Sequence, residues 1–114
     1  MTRDELLKNH ETICQEARNL MELKNKDYAG NGGLEPFANF TRCEAMGVCT
    51  TEQGFLVRIV DKLSRMSSFI ESGTMHVENE SFHDSCVDII NYMVLFSGYL
   101  KDKNDLGNKS RKQS

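Results

Sequence analysis

No apolar run in this chain is long enough to span a bilayer, and its first residues, Met1-Thr2-Arg3-Asp4-Glu5, carry no signal-peptide core. The expectation is a soluble, cytoplasmic protein. Cys14, Cys43, Cys49 and Cys86 include no C-x-x-C pair, and with His83 they match no usual zinc finger or ribbon spacing. Disulfides are not expected in a reducing cytoplasm, and Cys14 and Cys86 read as small core residues of helices. There is no Gly-x-Ser-x-Gly elbow for acyl transfer, no glycine-rich phosphate loop after a strand, no internal repeat and no alternating strand pattern. Cations are scarce over residues 1–100, where 9 Lys and Arg face 15 Asp and Glu. An acidic body does not coat nucleic acid, because phosphate contacts need clustered cations. The pattern that remains is all-α.

With 114 residues the chain has room for one domain and a single core. Thr2 followed by Glu5 reads as a capping box opening a helix over about 3–24, with Leu6, Ile13, Ala17 and Leu20 on its inner face. Residues 25–36 hold three Gly, two Asn and the only Pro, and read as a loop whose aromatic neighbours Tyr28, Phe37 and Phe40 pack back on the body. A short helix over about 38–46 ends at Gly47. A third, capped by Thr50 or Thr51, covers about 52–71 and stops at Gly73, with Phe55, Ile59, Leu63, Met66 and Ile70 inward. The last begins near Glu78 to Glu80 and ends around Leu100. The expected architecture is a small bundle of three long helices and a short one over residues 1–101, followed by a disordered basic tail over 102–114.

The last helix contains the most informative residues. Asp88 and Asn91 sit in the run Cys86-Val87-Asp88-Ile89-Ile90-Asn91-Tyr92-Met93-Val94-Leu95-Phe96, whose apolar side chains point all round the helix. Such a helix is expected deep in the bundle, with more apolar perimeter than its neighbours cover, which implies a homo-oligomer. A buried carboxylate there needs a cation, a metal or several donors. Asp84, Asp88 and Asn91 follow at i, i+4 and i+7 on one face. On the preceding helix Arg58, Asp61, Lys62 and Arg65 form a second polar face, and antiparallel packing would let the two line one cleft. In that cleft Asp84, Asp88 and Asp61 offer hard oxygen ligands to Mg²⁺, while Lys26, Lys62 and Arg65 offer charge to a phosphate. The alternative is a salt-bridge network between helices. His76 and His83 read as surface residues.

The stretches Lys24-Asn25-Lys26-Asp27-Tyr28, Asn39-Phe40, Asp61-Lys62-Leu63-Ser64-Arg65 and Glu80 to Tyr92, in this order and spacing, resemble the small phage and prophage proteins called nucleotide modification associated domain 1. The likeness covers about residues 10–100. That family looks related in turn to the all-α nucleotide pyrophosphohydrolases of the MazG and dUTPase type, which are oligomeric, hold Mg²⁺ on carboxylates of facing helices and split nucleoside triphosphates between the α and β phosphates. The resemblance implies metal ligands at Asp84 and Asp88, catalytic parts for Asp61 and Asp88, and a nucleotide site formed by Lys26, Asp27, Tyr28, Lys62, Arg65 and Asn91. Lys26, Lys62 and Arg65 would touch phosphates and Tyr28 would close over the base or sugar. The MazG-like E-E-x-x-E cluster is not repeated: residues 57–65 carry one acid, Asp61, and three cations. Three functions follow as expectations: a Mg²⁺-dependent pyrophosphohydrolase acting on free (deoxy)nucleoside triphosphates in phage nucleotide metabolism; a non-catalytic oligomer that binds a nucleotide or nucleotide-derived signal; or a helical interaction module in which Asp88 and Asn91 set helix register. None requires a membrane or a stable nucleic-acid complex.

Overall fold

The computed structural model describes residues 1–28, 35–73 and 80–113, with side chains at 26–28, 80–81 and 108–113 outside that description. Among the described residues there are four helices and no β-strand: α1 (Arg3–Tyr28), α2 (Ala38–Ala45), α3 (Thr51–Ser72) and α4 (Glu80–Gln113). No helix among them is long and apolar enough to cross a membrane.

The local signals act as chemistry dictates at most helix ends. Thr2 Oγ1 accepts from the Glu5 amide at 3.1 Å, and Glu5 Oε2 accepts from the Thr2 amide at 3.3 Å. Thr50 and Gln53 form the same reciprocal box at the start of α3. Each box satisfies amides that have no intrahelical partner. Gly73 stops α3 at φ 70°, a left-handed conformation costly to any residue with a Cβ.

Two boundaries depart from the sequence reading. α1 runs to Tyr28, so the first four residues of the expected loop are its last helical turn. α4 continues to Gln113 instead of ending near Leu100 before a disordered tail. A tertiary anchor supports that extension: Lys103 Nζ donates to Glu52 Oε2 at 2.9 Å, tying α4 to the first turn of α3. The pair holds the Glu52 carboxyl below its ordinary pKa and the Lys103 ammonium above its own, chiefly through this hydrogen bond.

α4 packs against both α1 and α3, and α2 packs on α3. Pairs along the α3–α4 contact run in opposite directions, from Phe69 against Phe82, through Lys62 against Asp88 and Phe55 against Phe96, to Glu52 against Lys103. The two helices are therefore antiparallel. The core is aromatic and small. Phe55, fully buried, stacks between Phe40 (centroids 3.9 Å apart) and Phe96 (4.8 Å), with Tyr99 at 5.9 Å. Phe37 lies on α4 over Gly98, where a Cβ would stand in ordinary contact, 3.4 Å from the ring. On the α1 side, Ala17 and Val87 are buried, and His83 Nε2 meets Glu16 Oε2 at 2.8 Å, a tie between helices where only a surface histidine was expected.

Several expected core positions lie outside. Leu63 and Ile70 are exposed on α3, whose inner line runs through Phe55, Ile59, Lys62, Met66 and Phe69. Leu6 on α1 is exposed as well, and α4 is not surrounded, for Met93 and Val94 face solvent. Cys14 and Cys86 are half-buried free thiols. The reason is the small number of neighbours: three helices around α4 leave one of its sides uncovered.

Phe55→Ala should destabilise the fold by about 3–5 kcal/mol, the usual cost of emptying a buried phenylalanine site, as read from urea unfolding. The α4 extension should respond to pH at both extremes. Glu52, with its lowered pKa, contributes stability at neutral pH that is lost as pH falls through that lowered value. Lys103, with its raised pKa, contributes stability that is lost as pH rises through the raised value. Amide protection over residues 100–107, taken relative to intrinsic exchange at each pH, should therefore fall toward strong acid and toward strong base, and Lys103→Met should flatten that pH dependence.

Candidate functional site

The middle of α4 presents a carboxylate to a largely apolar interior, and the fold answers with two ammonium groups. Lys62 Nζ lies 2.9 Å from Asp88 Oδ2, and Lys24 Nζ lies 3.5 Å from Asp88 Oδ1. The Lys62 and Asp88 side chains are only 16 % and 13 % exposed, whereas half of the Lys24 side chain reaches solvent. Lys62 is placed by its position on the inner line of α3. Lys24 continues the α1 face that carries Ala17 and Met21, seven and three residues earlier.

One helical turn on, Asn91 is buried and donates its Nδ2 to the carbonyl of Ala17 at 2.9 Å. That carbonyl belongs to a continuous helix, so the amide uses its second lone pair. The bond fixes α1 against α4 in rotation and in register.

Beside these groups opens a cavity of about 350 Å³. Lys24 and Asn25 line it from α1, Asn39 and Phe40 from α2, and Arg58 from α3. Asp88, Asn91 and Tyr92 line it from α4. Phe40 and Tyr92 meet edge to face, centroids 6.2 Å apart, and give the cavity an aromatic wall. With Lys62 counted behind Asp88, three cations stand against one carboxylate, in a chain whose net charge is −3. A polar rim with cations and amides over an aromatic wall suits a compact anion joined to a flat ring.

Of the residues the sequence singled out, Asp88, Lys62 and Asn91 come together here. Asp61 and Arg65 do not line the cavity: both are exposed and pair with each other at 3.4 Å. Asp84 is exposed and likewise does not line it. Lys26, Asp27 and Tyr28 belong to the last turn of α1, and their side chains lie outside the described residues, as does His76 altogether. No group of three His, Cys, Asp or Glu side chains among the described residues is arranged to hold a metal ion. As arranged, with Asp88 already neutralised by two ammonium groups, the donor set suits an anion better than Mg²⁺.

Sequence reasoning assigned no site role to Lys24, Asn25, Asn39, Phe40 or Tyr92, and it placed Arg58 on the polar face of α3 without assigning it a contact. Lys24 was within reach: it lies inside the expected first helix, seven residues after Ala17 and so on the same inner face. The contribution of α2 carried no such signal, because it depends on how that short helix docks on Phe55.

No family model matches the chain, and neither a curated protein nor a solved structure matches it.

Removing one member of the Lys62–Asp88 pair should cost more than replacing both. Lys62→Met should destabilise by about 1–3 kcal/mol, between the costs of breaking exposed and buried ion pairs, because the pair is partly shielded and Lys24 still faces the stranded carboxylate. Lys62→Met with Asp88→Leu should recover most of that loss in denaturant melts. A double variant no more stable than Lys62→Met would show that the carboxylate is not the cause.

Proposed function

We propose that this protein binds a nucleotide, or a small signal derived from one, in the cavity between α1, α2, α3 and α4, and holds it through cations without a metal. One observation carries the reading: the carboxylate at the centre of the site is occupied by Lys62 and Lys24, leaving Arg58 and the exposed part of Lys24 to meet an incoming phosphate. Guanidinium and ammonium groups bind phosphate well on their own, the first as a planar fork and the second as a point charge. Phe40 and Tyr92 supply a surface for the base, and the side-chain amides of Asn25 and Asn39 can donate to or accept from its polar edge. The resemblance to nucleotide modification associated domain 1 supports the same ligand class. Assembly as a homo-oligomer belongs to this reading, and no membrane or stable nucleic-acid complex does.

Mg²⁺-dependent pyrophosphohydrolysis is the competing use of the same cavity, and it would require Asp88 to exchange its two ammonium partners for a metal shared with Asp84. Thermal melts with nucleoside mono-, di- and triphosphates, each in Mg²⁺ and in EDTA, separate the two. At a hundred times its Kd, a ligand adds about 2.7 kcal/mol, enough to raise the Tm of a domain this size by about 10 °C. The expected result is a shift that survives EDTA, and a shift seen only with Mg²⁺ and triphosphate, accompanied by turnover, favours the hydrolase. Asp88→Asn should sharpen the distinction. It frees both ammonium groups, so anion affinity should hold or rise under the binding reading, whereas hydrolysis routed through Asp88 should vanish. Lys24→Ala and Arg58→Ala should each weaken binding on the order of tenfold, as expected for one charge-assisted hydrogen bond.

A further inference from the structure

The cavity carries more positive charge than its own carboxylate can balance. Lys24, Lys62 and Arg58 stand against the single carboxylate of Asp88, which leaves two positive charges uncompensated. Lys62 lies closest to that carboxylate, at 2.9 Å, so the surplus falls on Lys24 and Arg58. The Lys24 side chain is half exposed. Arg58 lines the cavity, and its guanidinium forms no ion pair or hydrogen bond among the described residues. The α2 part of the wall, Asn39 and Phe40, brings no charge of either sign.

A neutral acceptor belongs to the same wall. Asn91 is 8 % exposed and turns its Nδ2 to the carbonyl of Ala17. A carbonyl can only accept, so this bond fixes which way the amide points and leaves Oδ1 over. Oδ1 has no partner among the described residues, and Asn91 lines the cavity. A buried acceptor is satisfied only by a donor, and a phosphate dianion has none to give. The lining thus offers cations to an anion and an acceptor to a hydroxyl or an N–H.

The charge balance sets how many phosphates the site can take. A phosphomonoester carries about −1.5 to −2 charges at neutral pH, which two uncompensated cations match. Each further phosphate adds negative charge that no other cation of the described lining meets, and the nearby Asp88 carboxylate repels it. Size points the same way. At about 350 Å³ the cavity lies near the lower end of the roughly 300–1,000 Å³ usual for ligand pockets.

We infer that the cavity takes a nucleoside monophosphate, its dianionic phosphate held by Arg58 and Lys24 and a hydroxyl or N–H of its nucleoside donating to Asn91 Oδ1. The inference rests on the nucleotide-binding reading and narrows it to a ligand with a single phosphate. It sets that ligand apart from the triphosphates a pyrophosphohydrolase would take.

Isothermal titration of the full chain in EDTA, with the mono-, di- and triphosphates of the common nucleosides, tests the phosphate number directly. The tightest monophosphate should bind at least tenfold more tightly than its own di- and triphosphate. It should exceed its cyclic monophosphate, which carries one negative charge, by a similar factor. Methyl phosphate, which has no donor for Asn91, should bind at least a hundredfold more weakly. Arg58→Ala removes one of the two cations from an exposed position, so it should fold and should narrow the gap between the open and the cyclic monophosphate. A di- or triphosphate that binds as tightly in EDTA as the monophosphate overturns the inference and leaves nucleotide binding standing. A cyclic form that binds equally well does the same, and an unchanged gap in Arg58→Ala overturns the placing of the phosphate. Methyl phosphate bound as tightly as every nucleotide, or no binding by any of them, overturns the nucleotide reading as well.

Discussion

A carboxylate set into the apolar middle of a helix has to be neutralised where it stands, and much of this structure follows from how Asp88 is neutralised. The Lys62 ammonium at 2.9 Å joins α3 to α4, and the Lys24 ammonium at 3.5 Å joins α1 to the same point. Removing charges from water is costly, so a pair this shielded holds its geometry: an uncompensated partner would be far worse than either alternative. Two helices that share no extensive contact thus converge on one residue of a third. The cavity opens beside that convergence because the ammonium groups can approach Asp88 from different sides only if α1 and α3 stand apart.

The aromatic stack completes the arrangement from below. Phe40, Phe55 and Phe96 lie nearly parallel, so a ring of α2 stacks on α3, whose own ring stacks on α4. This leaves Phe40 with one face in the core and its edge near Tyr92, where the cavity begins. Core packing and the aromatic wall of the site are therefore made by the same ring. A substitution at Phe40 would alter the core and the cavity wall together, whereas Arg58, exposed on α3, lines the cavity without belonging to the core.

The helices were legible because their signals are local: reciprocal capping at Thr2 and Thr50, the left-handed Gly73, and periodic apolar residues between them. Asp88 and Asn91 were legible as residues that must be partnered for a physical reason too, since polar groups in such a run need partners wherever the helix packs. The identity of those partners was not. Lys26 carries the same charge as Lys24, and charge alone does not separate them; the helical spacing of seven from Ala17 singles out Lys24. The inner line of α3 was misassigned because Leu63 and Ile70 are as apolar as any core residue. Periodicity says that a helix has an apolar side, but this helix has two, and Lys62 stands within the inner one.

That double-sided character has a thermodynamic consequence. Lys62 and Leu63 are neighbours in sequence, one turned toward Asp88 and the other toward the open apolar face. The four-carbon stem of the lysine lets its ammonium swing away from Asp88 without turning α3, so the two sides of this helix can be altered separately: a polar group at position 63 leaves the ion pair in place, and an apolar group at position 62 leaves the open face as it is.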